Sequence, residues 1–291
     1  MSYKHWQIGD VRVTRIQEIV DSGLEWVIQM ASPANLKAIP WLAPHFVDDE
    51  WEALLSIHAL VVETPDLRIV VDTCVGNDKN LPVLKEWHQR SGPFLDDLRD
   101  AGFAPETIDT VLCTHLHVDH VGWNTILVDG KWRPTFPNAR YFVAREEWAH
   151  WDAQDDDFAT TVMTESVRPV CDAGLVDLVD HDHRVCDEVW LEPTPGHTPG
   201  HVSIRIASRG AEAVITGDMI HHPCQIARPG WGSHADTDFD QAVGTRESFL
   251  ERYAESGTLV IGTHFAGPTA GHVVREGDGY RLAVDEMPGS L

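Results

Sequence analysis

Thr114-His115-Leu116-His117-Val118-Asp119-His120 places three histidines and one aspartate within six residues, at the end of the strand-like run Thr110–Thr114. Imidazole is the commonest protein ligand for transition metals, and carboxylates complete such sites. In extended chain, residues two apart project to the same side, so His115 and His117 are expected to converge. A turn at the strand end would bring Asp119 and His120 round to a neighbouring point. Three later segments carry a ligand type at the same kind of place. His197 follows the run Val189–Leu191, within Thr194-Pro195-Gly196-His197-Thr198-Pro199-Gly200-His201; Asp218 follows Ala213–Thr216; His264 follows Leu259–Gly262. Sheet proteins commonly build sites beyond the carboxyl ends of strands. Seven ligands are too many for one zinc, which takes four in a closed site and three plus water in a catalytic one. They suit two metals about 3.5–4 Å apart that share a carboxylate and a hydroxide. The donor set favours two divalent ions of zinc, with manganese, iron or cobalt also compatible, and demands no thiolate.

The elements that must position these residues follow from apolar patterning. Short β-branched runs at Val11–Val20, Ile57–Glu63, Leu67–Asp72, Thr110–Thr114, Arg140–Ala144, Val189–Leu191, Val202–Ile206, Ala213–Thr216 and Leu259–Gly262 read as strands. A closing hairpin pairs His272–Arg275 with Tyr280–Val284. Helical spacing relates Phe94, Leu95, Leu98 and Ala101, with Gly102 as the stop. A second stripe, Phe249, Leu250, Tyr253 and Ala254, ends at Gly257, and a third helix with Trp148 and Trp151 on one face starts near Arg145. Strands come both in adjacent pairs and alternating with helices. An α/β fold of four layers is therefore expected, αββα, with two mixed sheets face to face and helices outside. One domain spanning 1–291 is expected. The less regular segment 22–55, holding Trp26, Trp41, Phe46 and Trp51, reads as a lid, a dimer contact or ordinary packing.

Composition narrows the partners. The chain has 291 residues with 22 Lys+Arg against 46 Asp+Glu, a formal charge of −24, and 17 histidines. Such an acidic surface repels phosphate backbones, so nucleic acid is not an expected partner. No stretch approaches the roughly 18 apolar residues of a membrane span, and Met1–Asp10 lacks the apolar core of a signal peptide. The five cysteines are odd in number, widely spaced and without a CxxC pair, as in a reduced cytoplasmic protein.

The HxHxDH motif followed by His197, Asp218 and His264 resembles the metallo-β-lactamase-fold superfamily, and the resemblance runs from Val11 to Val284. It implies that His115, His117 and His197 hold one zinc, that Asp119, His120 and His264 hold the other, and that Asp218 bridges them. Asp72, in Val70-Val71-Asp72-Thr73, matches the family's early strand-end aspartate, which supports a ligand rather than binding metal. His201 and Gly196 match a structural turn. Branches with a cysteine ligand, a carboxylate-substituted diiron site, a basic helical tail or a basic RNA-binding surface fit less well. The lactonase-like branch remains, with acyl-homoserine lactonases and methyl parathion hydrolases. That branch often has a tyrosine three residues after the bridging aspartate; here the position is His221, readable as an oxyanion donor or as a residue supporting a ligand.

The expected chemistry is hydrolysis of a small-molecule lactone or related ester by a metal-bridging hydroxide, with Asp119 orienting the nucleophile and protonating the leaving oxygen. No GxSxG motif offers a serine nucleophile. Aromatic residues of the 22–51 segment and Trp231 are candidates for the pocket wall. Two other readings fit the same residues: phosphotriester hydrolysis, and a non-catalytic metal or ligand binder of the same fold. Self-association as a homodimer is open.

Overall fold

The computed structural model describes residues 3–284; the ends of the expected single-domain span, 1–2 and 285–291, lie outside the described residues. Strands β1 (His5–Ile8), β2 (Val11–Ser22), β3 (Leu54–Glu63), β4 (Arg68–Val71) and β5 (Thr110–Leu112) lie side by side in that order. The chain then makes a separate hairpin from β6 (Thr125–Val128) and β7 (Lys131–Pro134). It returns to the first sheet with β8 (Arg140–Ala144) and β9 (Val176–Val179). A second sheet takes β10 (Val189–Pro193), β11 (Val202–Ser208), β12 (Ala211–Ile215), β13 (Leu259–Ile261), β14 (Ala270–Glu276) and β15 (Gly279–Ala283) in sequence order. Both sheets are mixed. In the first, β1–β4 pair antiparallel and β4, β5, β8 and β9 run parallel; in the second, only β12 and β13 are parallel.

Alternation along the strands sets the layers, because successive side chains leave opposite faces. Leu60 and Val62 of β3, Ile69 and Val71 of β4 and Leu112 of β5 meet Val202, Ile204 and Ile206 of β11 and Ile215 of β12 in a core between the sheets. Their neighbours Val61, Val70 and Val111 point the other way, against Phe94, Leu98 and Trp151. On the far side, Val214 and Val260 pack on Phe249, Leu250 and Tyr253. The expected αββα arrangement is thus the observed one.

The helices Phe94–Asp100 and Arg145–Asp152 stand where their stripes place them, and Gly102 takes the left-handed φ of +94° that ends the first. The helix Phe239–Tyr253 starts ten residues before its apolar stripe, because Asp238 caps it by accepting from the Gln241 amide. Four strands, β1, β6, β7 and β9, were not legible as such. Of these, β6 and β7 join through Asp129-Gly130, whose φ values of +51° and +72° suit a tight hairpin turn. Strand β5 stops at Leu112 rather than Thr114, since the Thr114 amide donates to the Asp72 carboxylate instead of a neighbouring strand.

The irregular segment forms single turns at Leu24–Trp26 and Pro40–Leu42 and a short helix Pro33–Leu36. Leu24, Ile28, Leu36, Leu42 and Phe46 are buried within the core on the second sheet. Among the described residues, no helix is long and apolar enough to cross a membrane.

Candidate metal centre

After β5 the backbone of Thr114 is captured by Asp72, which accepts from both its amide and its hydroxyl at 2.8 Å. His117 then caps a helical turn, Val118–Val121, that carries Asp119 and His120. The convergence of His115 and His117 therefore does not come from strand alternation. A loop brings them together through different ring nitrogens, His115 Nε2 and His117 Nδ1, 2.9 Å apart.

A second loop, Asp72–Gly76, is locked against this turn. The Thr73 amide donates to His120 O, the Gly122 amide to Cys74 O and the Trp123 amide to Thr73 O, at 2.7–2.8 Å. The approach is so close that a Cβ on Gly122 would lie 1.7 Å from Val75 O. Asp72 and Cys74 adopt φ values of +55° and +53°, a strained conformation for non-glycine residues. The strain puts Asp72 Oδ2 2.9 Å from His120 Nδ1.

The later ligand candidates reach the same place from the second sheet. His197 sits beyond β10 in a turn where Gly196, at φ +128°, packs directly on the Ala242 backbone. Asp218 lies in the turn Gly217–Met219, and its amide donates to His201 Nε2 at 2.9 Å. His201 Nδ1 is 3.0 Å from Thr194 O, so this buried imidazole, held down to about 4 by burial, is a neutral brace for Asp218. His264, beyond β13, directs Nδ1 to Ser56 O at 3.1 Å and Nε2 inward.

All seven expected ligands meet. His117 Nδ1 is 2.9 Å from His197 Nε2 as well as from His115 Nε2. On the other side, His264 Nε2 is 3.2 Å from His120 Nε2 and 3.4 Å from Asp119 Oδ2. Asp218 lies between the sets: its Oδ2 is 3.9 and 3.7 Å from His115 and His197 Nε2 and 3.3 Å from His120 Nε2. Zinc–nitrogen bonds of about 2.05 Å in a tetrahedron place ligand atoms about 3.3 Å apart, which these separations approach. Asp218 Oδ1 is also buried without a well-aligned hydrogen bond, its nearest polar neighbour being His264 Nε2 at 3.1 Å, a costly state for a carboxylate oxygen unless a cation faces it. The residues fit a pair of metal ions.

The electrostatics divide the histidines. Burial holds His115, His117 and His197 well below the ordinary imidazole range, leaving neutral rings with lone pairs free. Burial also lowers His120 and His264, but Asp218 and Asp119 outweigh it and raise both, with Asp72 adding to the effect on His120. Asp218, which burial alone would raise, is held well below the carboxylate range chiefly by His120 and His264.

Above the cluster opens a pocket of about 220 Å³ walled by Trp26, Val27, Leu55, Leu84, Trp87 and Phe158. Trp26 and Trp87 meet edge to face at 6.0 Å. Of the aromatic residues expected to line it, only Trp26 does; Phe46, Trp41, Trp51 and Trp231 pack in the core on the second sheet. His221 is part of the wall and its Nε2 is 3.3 Å from Asp218 Oδ2, while its Nδ1 is buried without a partner.

Two supporting carboxylates carry no motif that sequence reading could recognise. Glu147 is buried and accepts from the Leu116 and Gly200 amides, the Thr198 hydroxyl and the Trp151 indole, tying both histidine loops to one helix. Asp236 Oδ1 is 3.0 Å from His197 Nδ1. Each is one acidic residue among 46, with nothing local to mark it.

Residues 53–264 match the metallo-beta-lactamase superfamily. A sequence relative from a Bacillus species, an N-acyl homoserine lactonase, is 28% identical over 176 residues, covering 55% of this chain and 62% of the relative. Another N-acyl homoserine lactonase, from Bacillus cereus, is 26% identical over 118 residues and 40% of each chain. The chain thus spans less than two thirds of the length of these curated relatives. Among solved structures, the dizinc quorum-quenching lactonase AidC, in complex with a product, superposes with a TM-score of 0.81 at 22% identity, covering 99% of this chain and 98% of that one. A probable metal-dependent hydrolase from Staphylococcus aureus gives 0.75 at 19% identity, covering 97% and 99%. The structural likenesses speak to the fold. With the profile match spanning most of its length, the chain belongs to the metallo-beta-lactamase superfamily.

Proposed function

We propose that this chain is a dinuclear metal-dependent hydrolase that opens a lactone or a related carboxylic ester. One observation carries the reading: a single buried carboxylate, Asp218, lies between two sets of inward-facing ligand atoms at the floor of an apolar pocket. His115, His117 and His197 form one set, Asp119, His120 and His264 the other, and Asp218 belongs to both. Two divalent ions held there, zinc by the donor chemistry, would polarise an ester carbonyl and lower the pKa of a shared water to about 7.

The chain's own residues supply the rest. Asp119 is part of the pocket floor and keeps Oδ2 within 3.4 Å of His264 Nε2. It is placed to orient the attacking oxygen and to hold, at Oδ2, the proton that the leaving alkoxide needs. His221 Nε2 beside Asp218 supports the second of the two roles open to that residue, positioning the shared carboxylate. Lysine and arginine are absent from the residues lining the pocket, so the walls suit an uncharged substituent rather than an anionic tail. The lactonase names of the sequence relatives favour a cyclic ester over a phosphotriester.

A panel of lactones, open-chain esters and aryl phosphotriesters, assayed on zinc-loaded protein, tests the reading. The largest kcat/KM is expected for a lactone. A larger value for a phosphotriester would overturn the substrate class. Two bound metals without turnover of any ester would make the chain a binder.

A further inference from the structure

Among the three histidines of the first set, His197 alone has its outward nitrogen held by a carboxylate. Its Nδ1 is 3.0 Å from Asp236 Oδ1, and the Asp236 side chain is fully buried. The other oxygen, Oδ2, accepts the Ser233 amide at 2.8 Å and lies 3.9 Å from Arg246 Nη2. Arg246 is itself fully buried. Its Nε donates to Met219 O, next to Asp218, at 2.9 Å, and its Nη1 to Pro229 O at 2.6 Å. Backbone hydrogen bonds from Thr237 to His197 O and from Asp238 to Gly196 O, at 2.8 and 2.9 Å, bind the loop that carries Asp236 to the turn that carries His197.

We propose that Asp236, fixed by Ser233 and Arg246, is the positioning residue that holds His197 as its Nδ1–H tautomer and keeps the Nε2 lone pair directed at the His115–His117 set. An ionised carboxylate only accepts, so Nδ1 must donate, and a neutral imidazole with its proton there presents Nε2 as an acceptor. Outer partners of this kind fix ring orientation and typically change metal affinity 10–100-fold. The consequence for metal rests on the dinuclear reading above; the tautomer does not.

Asp236→Asn makes the inference sharp. The Ser233 amide, 2.8 Å away, requires an acceptor at the Oδ2 position, and the Arg246 charge 3.9 Å away favours one, so the amide oxygen settles there and its NH₂ faces His197. Nδ1 must then accept, the proton moves to Nε2, and the lone pair leaves the cluster. The second set keeps its own carboxylate support, Asp72 on His120, and retains its metal.

The test uses the full chain. Proton–nitrogen correlation spectra of the imidazoles in metal-free protein are expected to show the His197 proton on Nδ1 in the wild type and on Nε2 in Asp236→Asn. Zinc titration against a competing chelator is expected to give two tight sites in the wild type. The variant is expected to keep one, with the other weakened at least tenfold. A wild-type proton on Nε2, or a folded variant with two zinc ions at wild-type affinity, would overturn the proposal. Should circular dichroism show the variant unfolded, the wild-type spectrum decides. A wild type that binds no zinc but carries the proton on Nδ1 would refute the metal reading and leave this inference standing.

Discussion

Glu147→Gln tests whether a residue outside the cluster holds its geometry. Each oxygen of Glu147 serves two donors: Oε1 accepts Leu116 N at 3.0 Å and Trp151 Nε1 at 2.8 Å, and Oε2 accepts Thr198 Oγ1 at 2.6 Å and Gly200 N at 3.2 Å. A glutamine amide has one acceptor, and its NH₂ faces least conflict on the Thr198 side, where the hydroxyl can rotate to accept but the Gly200 amide cannot. Hydrogen bonds to a charged group contribute about 1.5–3 kcal/mol each against about 1 kcal/mol for neutral ones, so losing the Gly200 bond and weakening the other three removes about 3–6 kcal/mol. Part of this is offset, because burial opposes the ionised carboxylate and raises its pKa. A net loss of about 3 kcal/mol remains, which for a chain of this size lowers Tm by about 5 °C. Leu116 lies between His115 and His117, and Thr198 follows His197, so the distortion falls on one ligand set. Its zinc affinity is expected to drop about 10–100-fold. Differential scanning calorimetry and chelator competition measure both quantities. A variant with the same Tm as the wild type and unchanged zinc affinity would refute the reasoning.

Other perturbations probe separate links. Gly122→Ala would force a Cβ to within 1.7 Å of Val75 O; a loss of at least about 3 kcal/mol, with weakened binding at the His120 set, is expected from urea unfolding and zinc titration. Trp26 forms part of the pocket wall yet is 53% exposed, so Trp26→Ala should forfeit about 1 kcal/mol of contact. That corresponds to about a fivefold rise in KM for substrates with long apolar substituents, with kcat for short ones unchanged. His222 is fully buried, its Nε2 2.8 Å from Phe46 O, and burial holds it down to about 4. Between the ordinary value near 6.5 and about 4, the unfolded chain takes up a proton that the folded chain refuses. Stability therefore falls on acidification, by up to about 3 kcal/mol at pH 4 from this residue. Urea unfolding from pH 7 to pH 4 should show a shallower decline in His222→Gln; an unchanged slope would contradict the assignment.

Much of the candidate centre was legible because residue types that can ligate metal are chemically conspicuous and here sit at strand ends, which apolar runs mark. His115, His117, Asp119, His120, His197, Asp218 and His264 all meet. The layer order was readable for a similar reason, since Val61 and its neighbours alternate between two buried faces. What escaped was held by long-range hydrogen bonding. Glu147 and Asp236 look like surface acids in sequence, and only tertiary structure shows their side chains buried against backbone amides and imidazoles. Asp72 was placed correctly, but its strained φ was not foreseeable. Trp87, Leu84 and Phe158, which wall the pocket, lie far in sequence from the segment expected to form it. The histidine excess also resolves in part: His58, His201 and His222 are buried and bonded to backbone carbonyls, so structural demand, as well as metal binding, uses this residue type.

The central claim is that two metal ions shared through Asp218 are required for ester hydrolysis. Elemental analysis of the purified full chain, combined with lactone turnover after chelation and stepwise zinc return, tests it most directly. The account predicts two metal ions per chain, complete loss of turnover on their removal, and recovery that needs the second equivalent. Asp218→Ala should remain inactive at any zinc concentration. Turnover that persists in metal-free protein, or that is complete with one equivalent, would contradict it.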